Sequence, residues 1–347
     1  MRLRSCLLSM LAVLSLAPLS LHAKCQISPN GRLELRAPAG NLLVSTSSTD
    51  SVEVQVSNRQ VTVQETCERD KVTITGKAPT SIGIPDWKIT VPRGITLDLS
   101  TQGGSIQVAD TDGEALLRTS GGKVTAGNIG GNALIYGTEV RTGNIGGNAE
   151  LRGLGGRLQI GDIGGNAEFH TPGGDITAGI VKGTVKATMD SGSISIREAI
   201  GNVVVTTKEG DITSEYVRGS FDGKTESGNI HLEKVGSWVK AFTGVGDIFF
   251  RLVPNNLAGD LHVTAEAALG NITMYVPKAM KASFDVVVEK PAMSTKSILS
   301  NIPLKAPINA FNKLIPGGPE KQTFEVNKGG NAIRLRTSSG TIRIMQN

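Results

Sequence analysis

A repeat of about 18 residues across the middle of the chain limits the fold more than any other feature, because a fixed period indicates a repeat architecture. In nearly every unit an aliphatic residue, here called the anchor, follows a Gly-x pair. Successive anchors keep the same interval, except for one shorter step from Val124 to Val140. The anchors are Ile106, Val124, Val140, Leu158, Ile176, Ile194, Ile212, Ile230 and Ile248. This regularity predicts a stack of similar supersecondary units.

Each unit contains two short arms in which apolar and polar residues alternate, as in Gly174–Ala178 and Gly183–Ala187. A period of two is typical of strands, whereas helices would show a 3.6-residue period and few glycines. Glycine and asparagine between the arms favour tight corners. The sequence therefore predicts an all-β protein, a parallel β-solenoid with coils of about 18 residues and strands stacked about 4.8 Å apart.

The same spacing predicts two further ladders of inward-facing apolar residues beside the anchors. We assign the second ladder to Ile129, Ile145, Ile163, Ile180, Ile200, Val217 and Val235. We assign the third ladder to Ala133, Ala149, Ala167, Val185, Val203 and Phe221. Spacing alone leaves open whether each coil has two or three faces.

The solenoid, predicted over residues 101–254, needs covered ends, because exposed strand edges invite pairing with other chains. Alternating runs within residues 24–100 predict an antiparallel β cap region at the N-terminal end. Residues 255–347 repeat the anchor motif at Ile272 and Ile342, which predicts C-terminal coils and a cap. Residues 290–322 are rich in Pro, Lys, Ser and Asn, and we interpret them as a surface insertion.

Residues 1–23 have the pattern of a secretory signal peptide. Arg2 and Arg4 precede an apolar run that ends at Leu21, and Ala23 supplies the small residue at the expected cleavage site. The run is interrupted by serines and Pro18, and it is short for a membrane span of about 20 apolar residues. We expect an exported mature chain that starts at Lys24 without a transmembrane segment, in the periplasm or secreted to the cell surface.

Two cysteines, Cys25 and Cys67, remain after cleavage of the signal peptide. Their number is informative because an exported chain enters an oxidising compartment. A pair of cysteines in an oxidising compartment predicts a disulfide bond. In the chain-entropy view, closing a loop of this size stabilises the fold by roughly 4 kcal/mol. The alternative, a nucleophilic thiol, needs a neighbouring base, and the expected mature chain has no histidine in this region.

Two segments carry a resemblance to a known family. Trp87–Gly94 leading into Ser100–Ile106 resembles the entry segment of bacterial adhesin-like β-strand-repeat proteins, and Gly329–Ile342 resembles their terminal coil. The family, also described as candidate auto-transporter adhesins, is largely of unknown function. The resemblance covers most of the mature chain and implies a right-handed β-helix in an exported protein, with a role in binding.

Composition narrows the classes of protein and of partner. The net charge is +5, and lysines and arginines are scattered among acids, so we expect no nucleic acid partner. The 43 glycines lack the three-residue period of collagen. Val, Ile and Leu remain frequent between them, which excludes a disordered chain.

Aspartates are the strongest candidates for chemistry. Asp175, Asp211 and Asp247 share one column on alternate coils, about 9.6 Å apart. Inverting glycosidases place their carboxylates about 6.5–9.5 Å apart, so the distance alone does not exclude such an enzyme. Ser193 and Asn229 fill the intervening coils, and a solvated polar face is the favoured interpretation.

Metal and cofactor sites find little support in the sequence. The Gly-Gly-x-Gly-x-Asp register of calcium-binding β-rolls is absent from nearly every half-unit. His170, His231 and His262 stand in different units, without the spacing of a zinc site or a catalytic triad. We therefore predict no catalytic residue, no metal and no cofactor.

Two residue classes could mark a binding surface. Threonines recur five residues before the anchors, and we expect them to stabilise the stack rather than to present hydroxyl groups to a ligand. They are Thr101, Thr119, Thr171, Thr207, Thr225, Thr243 and Thr337. Aromatic residues crowd the last units, and those not directed inward are candidates for contact with sugar or protein. The candidate surface comprises Tyr216, Trp238, Phe242, Phe249 and Phe250.

The sequence thus favours a non-catalytic cell-envelope or secreted protein. We expect it to act by adhesin-like binding or scaffolding along the solenoid, with a cell-surface polysaccharide or an envelope protein as partner. The alternative is a carbohydrate-active β-helix enzyme that acts on polysaccharide. Such enzymes carry grouped carboxylates and long loops over one face, whereas these coils are nearly uniform.

Overall fold

Alternating apolar and polar residues turn every second side chain inward, and the resulting strands stack into two sheets around one core. The computed structural model describes residues 21–78, 85–291, 297–302 and 318–347. Within these residues the strands form two 16-stranded sheets, here called sheet A and sheet B. Their inward side chains belong to a single hydrophobic core cluster. The all-β solenoid predicted from the repeat is confirmed, with two sheet faces in each coil.

The strands are numbered in chain order. The first eight are β1 (Leu21–Gln26), β2 (Arg32–Ala37), β3 (Asn41–Ser47), β4 (Ser51–Val56), β5 (Thr62–Cys67), β6 (Lys71–Lys77), β7 (Asp86–Pro92) and β8 (Thr96–Thr101). The central strands are β9 (Ile106–Val108), β10 (Ala115–Thr119), β11 (Val124–Ala126), β12 (Ala133–Gly137), β13 (Val140–Thr142), β14 (Ala149–Gly153), β15 (Leu158–Ile160), β16 (Ala167–Thr171), β17 (Ile176–Val181), β18 (Val185–Met189), β19 (Ile194–Ala199), β20 (Val203–Glu209), β21 (Ile212–Val217), β22 (Phe221–Ser227), β23 (Ile230–Val235), β24 (Val239–Val245) and β25 (Ile248–Leu252). The last described strands are β26 (Val263–Leu269), β27 (Ile272–Val276), β28 (Ala282–Val288), β29 (Ile298–Ser300), β30 (Glu320–Val326), β31 (Asn331–Ser339) and β32 (Ile342–Gln346).

Each coil contributes one strand to each sheet. Sheet A has the order β1-β4-β7-β3-β9-β11-β13-β15-β17-β19-β21-β23-β25-β27-β32-β29. Sheet B has the order β5-β6-β2-β8-β10-β12-β14-β16-β18-β20-β22-β24-β26-β31-β28-β30. From β8 to β27 the order in space follows the order in the chain, so consecutive coils lie on one another.

The first and third predicted ladders are confirmed. Anchors pair in parallel from coil to coil in sheet A, as Ile176 does with Ile194, and every anchor is buried. In sheet B the third ladder runs in the same way, for example from Val185 to Val203 and on to Phe221. Equivalent residues therefore stack at the strand spacing of about 4.8 Å.

The second ladder needs a correction of one residue in two coils. Val181 and Ala199 are its inward members, and they pair with each other in sheet A. Ile180 is only half-buried, and Ile200 has 45% of its surface exposed. The inward position lies five residues after the anchor, as Val181 does after Ile176 and Ala199 after Ile194. Ile180 and Ile200 lie four and six residues after their anchors, so neither takes that position.

Corner asparagines bind the backbone of the next coil. Asn128 Oδ1 accepts a hydrogen bond from the Asn144 N–H at 2.8 Å, and Asn132 Oδ1 accepts one from Asn148 in the same way. A Cβ atom on Gly143 would lie 2.6 Å from Asn128 Oδ1. The recurring Gly-Asn pair therefore has a physical cause, because only glycine leaves room for the carboxamide from the coil before.

The predicted structural role of the threonine ladder is confirmed. All seven threonines are buried. The Thr225 hydroxyl donates to the Gly210 carbonyl at 3.0 Å, and the Thr243 hydroxyl donates to the Gly228 carbonyl at 2.7 Å. These bonds satisfy buried polar groups at the corners and leave the hydroxyl groups unavailable to a ligand.

Antiparallel strands close the N-terminal end, as predicted. They pair β1 with β4, β4 with β7, and β5 with β6. Parallel coils also reach into this region, which the sequence did not predict. The coil of β2 and β3 lies between the coil of β6 and β7 and the coil of β8 and β9, so the chain crosses over its own first coil.

The C-terminal end repeats this arrangement. The coil of β31 and β32 lies between the coil of β26 and β27 and the coil of β28 and β29. Strand β30 runs antiparallel to β28 and covers it. The predicted insertion at 290–322 falls partly here, and its residues 292–296 and 303–317 lie outside the described residues. The predicted signal peptide also lies outside them, apart from the first residues of β1.

Within the described ranges there is no helix with the length and apolarity that crossing a bilayer requires.

Candidate ligand-binding groove

A column of arginines runs along the outer face of sheet B near its N-terminal end. Arg36 on β2 pairs with Ser100 on β8, and Ser100 pairs with Arg118 on β10. Arg118 pairs in turn with Tyr136 on β12, and Tyr136 pairs with Arg152 on β14. The strand period of two turns all five side chains to the same outer face, so cations occupy every second strand.

Tyr136 lies between two of these cations. The Arg118 guanidinium carbon is 5.8 Å from the centre of the ring, and that of Arg152 is 5.6 Å from it. Both distances are within the range of cation–π attraction. The ring therefore holds two guanidinium groups apart while it attracts both.

Asp98 lies beside the arginine column and forms ion pairs with three arginines. Arg32 binds its Oδ2 atom, and Arg36 and Arg118 approach its Oδ1 atom at 2.9 and 3.4 Å. The Asp98 side chain is 4% exposed. Burial acts to raise the pKa of Asp98, but the hydrogen bonds from Arg36 and Arg32 outweigh it and lower this pKa. The bond to Asp98 raises the pKa of Arg36.

The arginine column opens into a groove of about 810 Å³. Arg36 and Arg118 are the charged groups among the described residues that line it. Ser100 and Gln102 supply polar groups, and Leu154, with 53% of its surface exposed, supplies an apolar wall. A concave site with convergent polar groups and apolar contacts is typical of ligand-binding sites.

One shortened corner accounts for the place of the groove. Two residues, 138 and 139, join β12 to β13, whereas residues 120–123 and 154–157 make the corners on either side. Thr138 ties the short corner to its neighbours, since it donates to the Gly122 carbonyl and accepts from the Gly156 N–H, both at 2.8 Å. The longer flanking corners therefore stand on both sides of a recess.

This recess is visible in the sequence as the single shortened step between anchors, from Val124 to Val140. Sequence reasoning missed the groove because it treated that step as a small irregularity. It also placed the aromatic candidates in the last coils and did not consider Tyr136.

The predicted aromatic surface does not form one site. Phe249 on sheet A stacks on His231 with 4.5 Å between ring centres and lies 5.8 Å from Tyr275. Trp238, just before β24, stacks on His262 at 5.2 Å. His231 thus covers one face of Phe249, and His262 covers one face of Trp238.

The remaining aromatic candidates are also separated. Tyr216 on sheet A lies 4.8 Å from the Arg218 guanidinium carbon, and Phe242 on sheet B lies 5.3 Å from Lys224 Nζ. Phe250 is a correction, because it is fully buried and cannot contact a ligand. It follows the outward Phe249 on β25, so the alternation of the strand turns it into the core.

The aspartate column that raised the enzyme hypothesis is a hydrogen-bond ladder. Asp211 Oδ1 accepts the Asn229 N–H at 2.7 Å, Asn229 Oδ1 accepts the Asp247 N–H at 2.8 Å, and Asp247 Oδ1 accepts the Asn271 N–H at 2.7 Å. A shallow groove of about 440 Å³ contains Asp211 and Asp247. Because aspartate and asparagine alternate in one role, a backbone function accounts for these carboxylates.

The predicted disulfide between Cys25 and Cys67 is present, with 5.6 Å between the Cα atoms. Together with Glu65, the two cysteines are also the group of metal-ligand types that stands out among the described residues. Their sulfur atoms are bonded to each other, so this cluster does not offer thiolates to a metal.

A family model describes most of this fold. Residues 32–297, more than half of the chain, match the Toastrack DUF4097 family. The chain belongs to the Toastrack family. The resemblance to adhesin-like repeat proteins of unknown function is thereby confirmed. No curated protein matches the Toastrack chain.

Several solved structures resemble the Toastrack chain at low identity. A candidate adhesin from Parabacteroides merdae is 14% identical, with coverage of 61% of this chain and 95% of that chain and a TM-score of 0.33. A candidate cell adhesion protein from Clostridium sporogenes is 11% identical, with coverage of 94% and 100% and a TM-score of 0.17. A candidate lipid binding protein from Parabacteroides distasonis is 12% identical, with coverage of 72% and 93% and a TM-score of 0.30.

Proposed function

We propose that this Toastrack protein is an exported, non-catalytic envelope or surface protein that binds polysaccharide through the groove on sheet B. The observation that carries the proposal is the groove itself, with Arg36 and Arg118 beside hydroxyl, amide and apolar groups. Sugars present hydroxyl groups and apolar C–H faces together, so a mixed lining of this kind suits them. Export is supported by the signal-peptide pattern and by the disulfide, which belongs to oxidising compartments.

The composition of the groove supports binding rather than catalysis. None of its described lining residues is Asp, Glu, His or Cys, the side chains that most often act as general acids, bases or nucleophiles. The nearest acids, Asp98 and Glu34, are held by arginine and lysine. The hydrogen bond from Lys71 lowers the pKa of Glu34, so this carboxyl is a poor proton donor near neutral pH.

Co-sedimentation of the mature protein with insoluble cell-wall and surface polysaccharides tests the proposal, with reducing ends assayed in the supernatant. We expect retention without sugar release, and weakening by at least about tenfold in Arg118→Gln, since a charge-assisted hydrogen bond is worth about 1.5–3 kcal/mol. Arg218→Gln is the matched control, because Arg218 also lies over a tyrosine ring but on sheet A.

Two outcomes would contradict the proposal. Equal retention of the Arg118→Gln and Arg218→Gln variants would show that the binding site lies outside the groove. Sugar release that disappears in Asp211→Asn would instead favour the carbohydrate-active enzyme, with the aspartate column as its active site.

A further inference from the structure

The cations of the arginine column, two of which line the groove, have a period of two strands. Arg36, Arg118 and Arg152 alternate with the uncharged Ser100 and Tyr136 along sheet B. With strands about 4.8 Å apart, successive arginines are about 9.6 Å apart along the solenoid axis. The column thus offers one cation for every second strand over five strands.

A pyranose unit in an extended polysaccharide is comparable in length to one strand spacing. We infer that the groove binds a linear acidic polysaccharide that lies along the solenoid axis and carries one carboxylate on every second sugar. The inference rests on the proposed function and names its ligand class. Successive carboxylates of such a polymer meet successive arginines, and the neutral sugars between them lie over Ser100 and Tyr136.

Arg118 is the principal carboxylate-binding residue in this arrangement. A guanidinium has five N–H donors, and Arg118 makes a single polar contact within the described part of the chain, at 3.4 Å to Asp98. Arg36 is engaged by both Asp98 and Glu34, and Arg152 is engaged by Glu150. Arg118 therefore keeps donors for bidentate contact with a carboxylate, while the other two supply flanking charge.

Tyr136 fixes the spacing of the charges. Its two faces are covered by Arg118 and Arg152, so the ring cannot stack flat on a sugar. It separates two guanidinium groups that would otherwise repel each other. A ligand is therefore selected by the interval between its charges, and a neutral polymer gains little from the groove.

Local charge balance points to an anionic ligand. Arg32, Arg36 and Arg118 share the single carboxylate of Asp98, and Glu34 is shared between Arg36 and Lys71. Four cations thus face two acids, which leaves a surplus of two positive charges beside the groove. This surplus attracts carboxylates, and salt weakens the attraction by screening it.

Isothermal titration calorimetry of the mature, disulfide-bonded protein tests the inference with three polymers of matched length. They are hyaluronan, which carries a carboxylate on every second sugar, polygalacturonate, which carries one on every sugar, and neutral dextran. We expect hyaluronan to bind most tightly, at least about tenfold better than dextran. Carboxyl-reduced hyaluronan should lose this advantage, and so should hyaluronan with the Arg118→Gln variant. The Arg218→Gln variant should bind like the unaltered protein.

Other results separate this inference from the proposed function. Polygalacturonate that binds as tightly as hyaluronan would overturn the two-sugar spacing. Dextran that binds as tightly, with weakening by Arg118→Gln, would overturn the acidic ligand and leave the groove as a polysaccharide site. If none of these polymers binds and cell-wall polysaccharide is not retained either, the proposed function itself fails. Circular dichroism melts of each variant exclude misfolding as the cause.

Discussion

Cys25 lies on the outermost described strand of sheet A, Cys67 lies on the outermost described strand of sheet B at the same end, and a disulfide joins them. The bond thus connects the two sheets at the end where the last described strand of each is paired on one side only. In the chain-entropy view, closing a loop of 42 residues in sequence separation contributes about 4 kcal/mol.

Replacing both cysteines by serine should loosen this end and leave the rest of the solenoid intact. Stacked repeats interact mainly with their neighbours, so the loss should stay local. Hydrogen exchange measured by mass spectrometry should accelerate in β1 and β5 and remain unchanged in β20 to β24. A uniform acceleration along the chain would show that the bond stabilises the fold as a whole.

Substitution of Asp98 should lower stability in a pH-dependent way. The folded-state pKa of Asp98 is lowered, so its ion pairs contribute fully above the unfolded pKa of about 3.9 and are lost as pH falls through the folded value. We expect Asp98→Asn to reduce the free energy of unfolding by about 2 kcal/mol at pH 7, because three arginines lose a shared carboxylate. The difference from the unaltered protein should shrink below pH 4.

Urea unfolding at pH 7, 4 and 3 measures this difference. Asp190→Asn serves as the control, since Asp190 pairs with Lys208 on an exposed surface. Its effect should be small at every pH because exposed ion pairs contribute little. If Asp98→Asn lowers the free energy of unfolding equally at all three pH values, the ionised carboxylate of Asp98 is not what stabilises the fold.

The aspartate ladder predicts opposite results for two changes at one position. Asp211→Asn keeps an oxygen that accepts the Asn229 N–H, as Asn229 itself does for Asp247. We expect its melting temperature to match that of the unaltered protein. Asp211→Ala removes the acceptor and should cost about 1 kcal/mol. Thermal denaturation distinguishes the two, and equal destabilisation would show that the negative charge matters rather than the hydrogen bond.

A methyl group on a glycine of the recurring Gly-Asn corners should displace the asparagine of the preceding coil. A Cβ atom at Gly147 would lie 2.4 Å from Asn132 Oδ1, whereas one at Gly121 would find its nearest atom 3.7 Å away. We expect Gly147→Ala to cost about 2–4 kcal/mol through steric overlap and a lost hydrogen bond. Gly121→Ala should be neutral or slightly stabilising. Chemical denaturation of both variants provides the comparison.

Much of the fold was accessible from the sequence because the anchors recur in a fixed register. That register places Ile176 above Ile194 whatever lies between them, since strands stack residue on residue. The prediction was wrong at Ile180 and Ile200 because a large apolar residue was preferred to its neighbour, Val181 or Ala199, at the constant distance of five residues from the anchor. It fails again at the ends, because β2 and β31 insert between coils that are remote in sequence, and periodicity reports only chain order.

The groove was less accessible for a different reason. It depends on Arg36 and Arg118, which belong to separate parts of the sequence and meet at Asp98 only because β2 lies beside β8. The aromatic candidates of the last coils were chosen by residue type. Their placement shows stacking along the solenoid, which composition cannot distinguish from exposure.

The insertion of the last described coil between two earlier ones also has a mechanical consequence. β32 is hydrogen-bonded to β27 on one side and to β29 on the other, and β31 is likewise held between β26 and β28. A pull directed along β32 must therefore shear ladders on both sides at once instead of unzipping a single edge. Tension on this end of the molecule would be shared by four neighbouring strands.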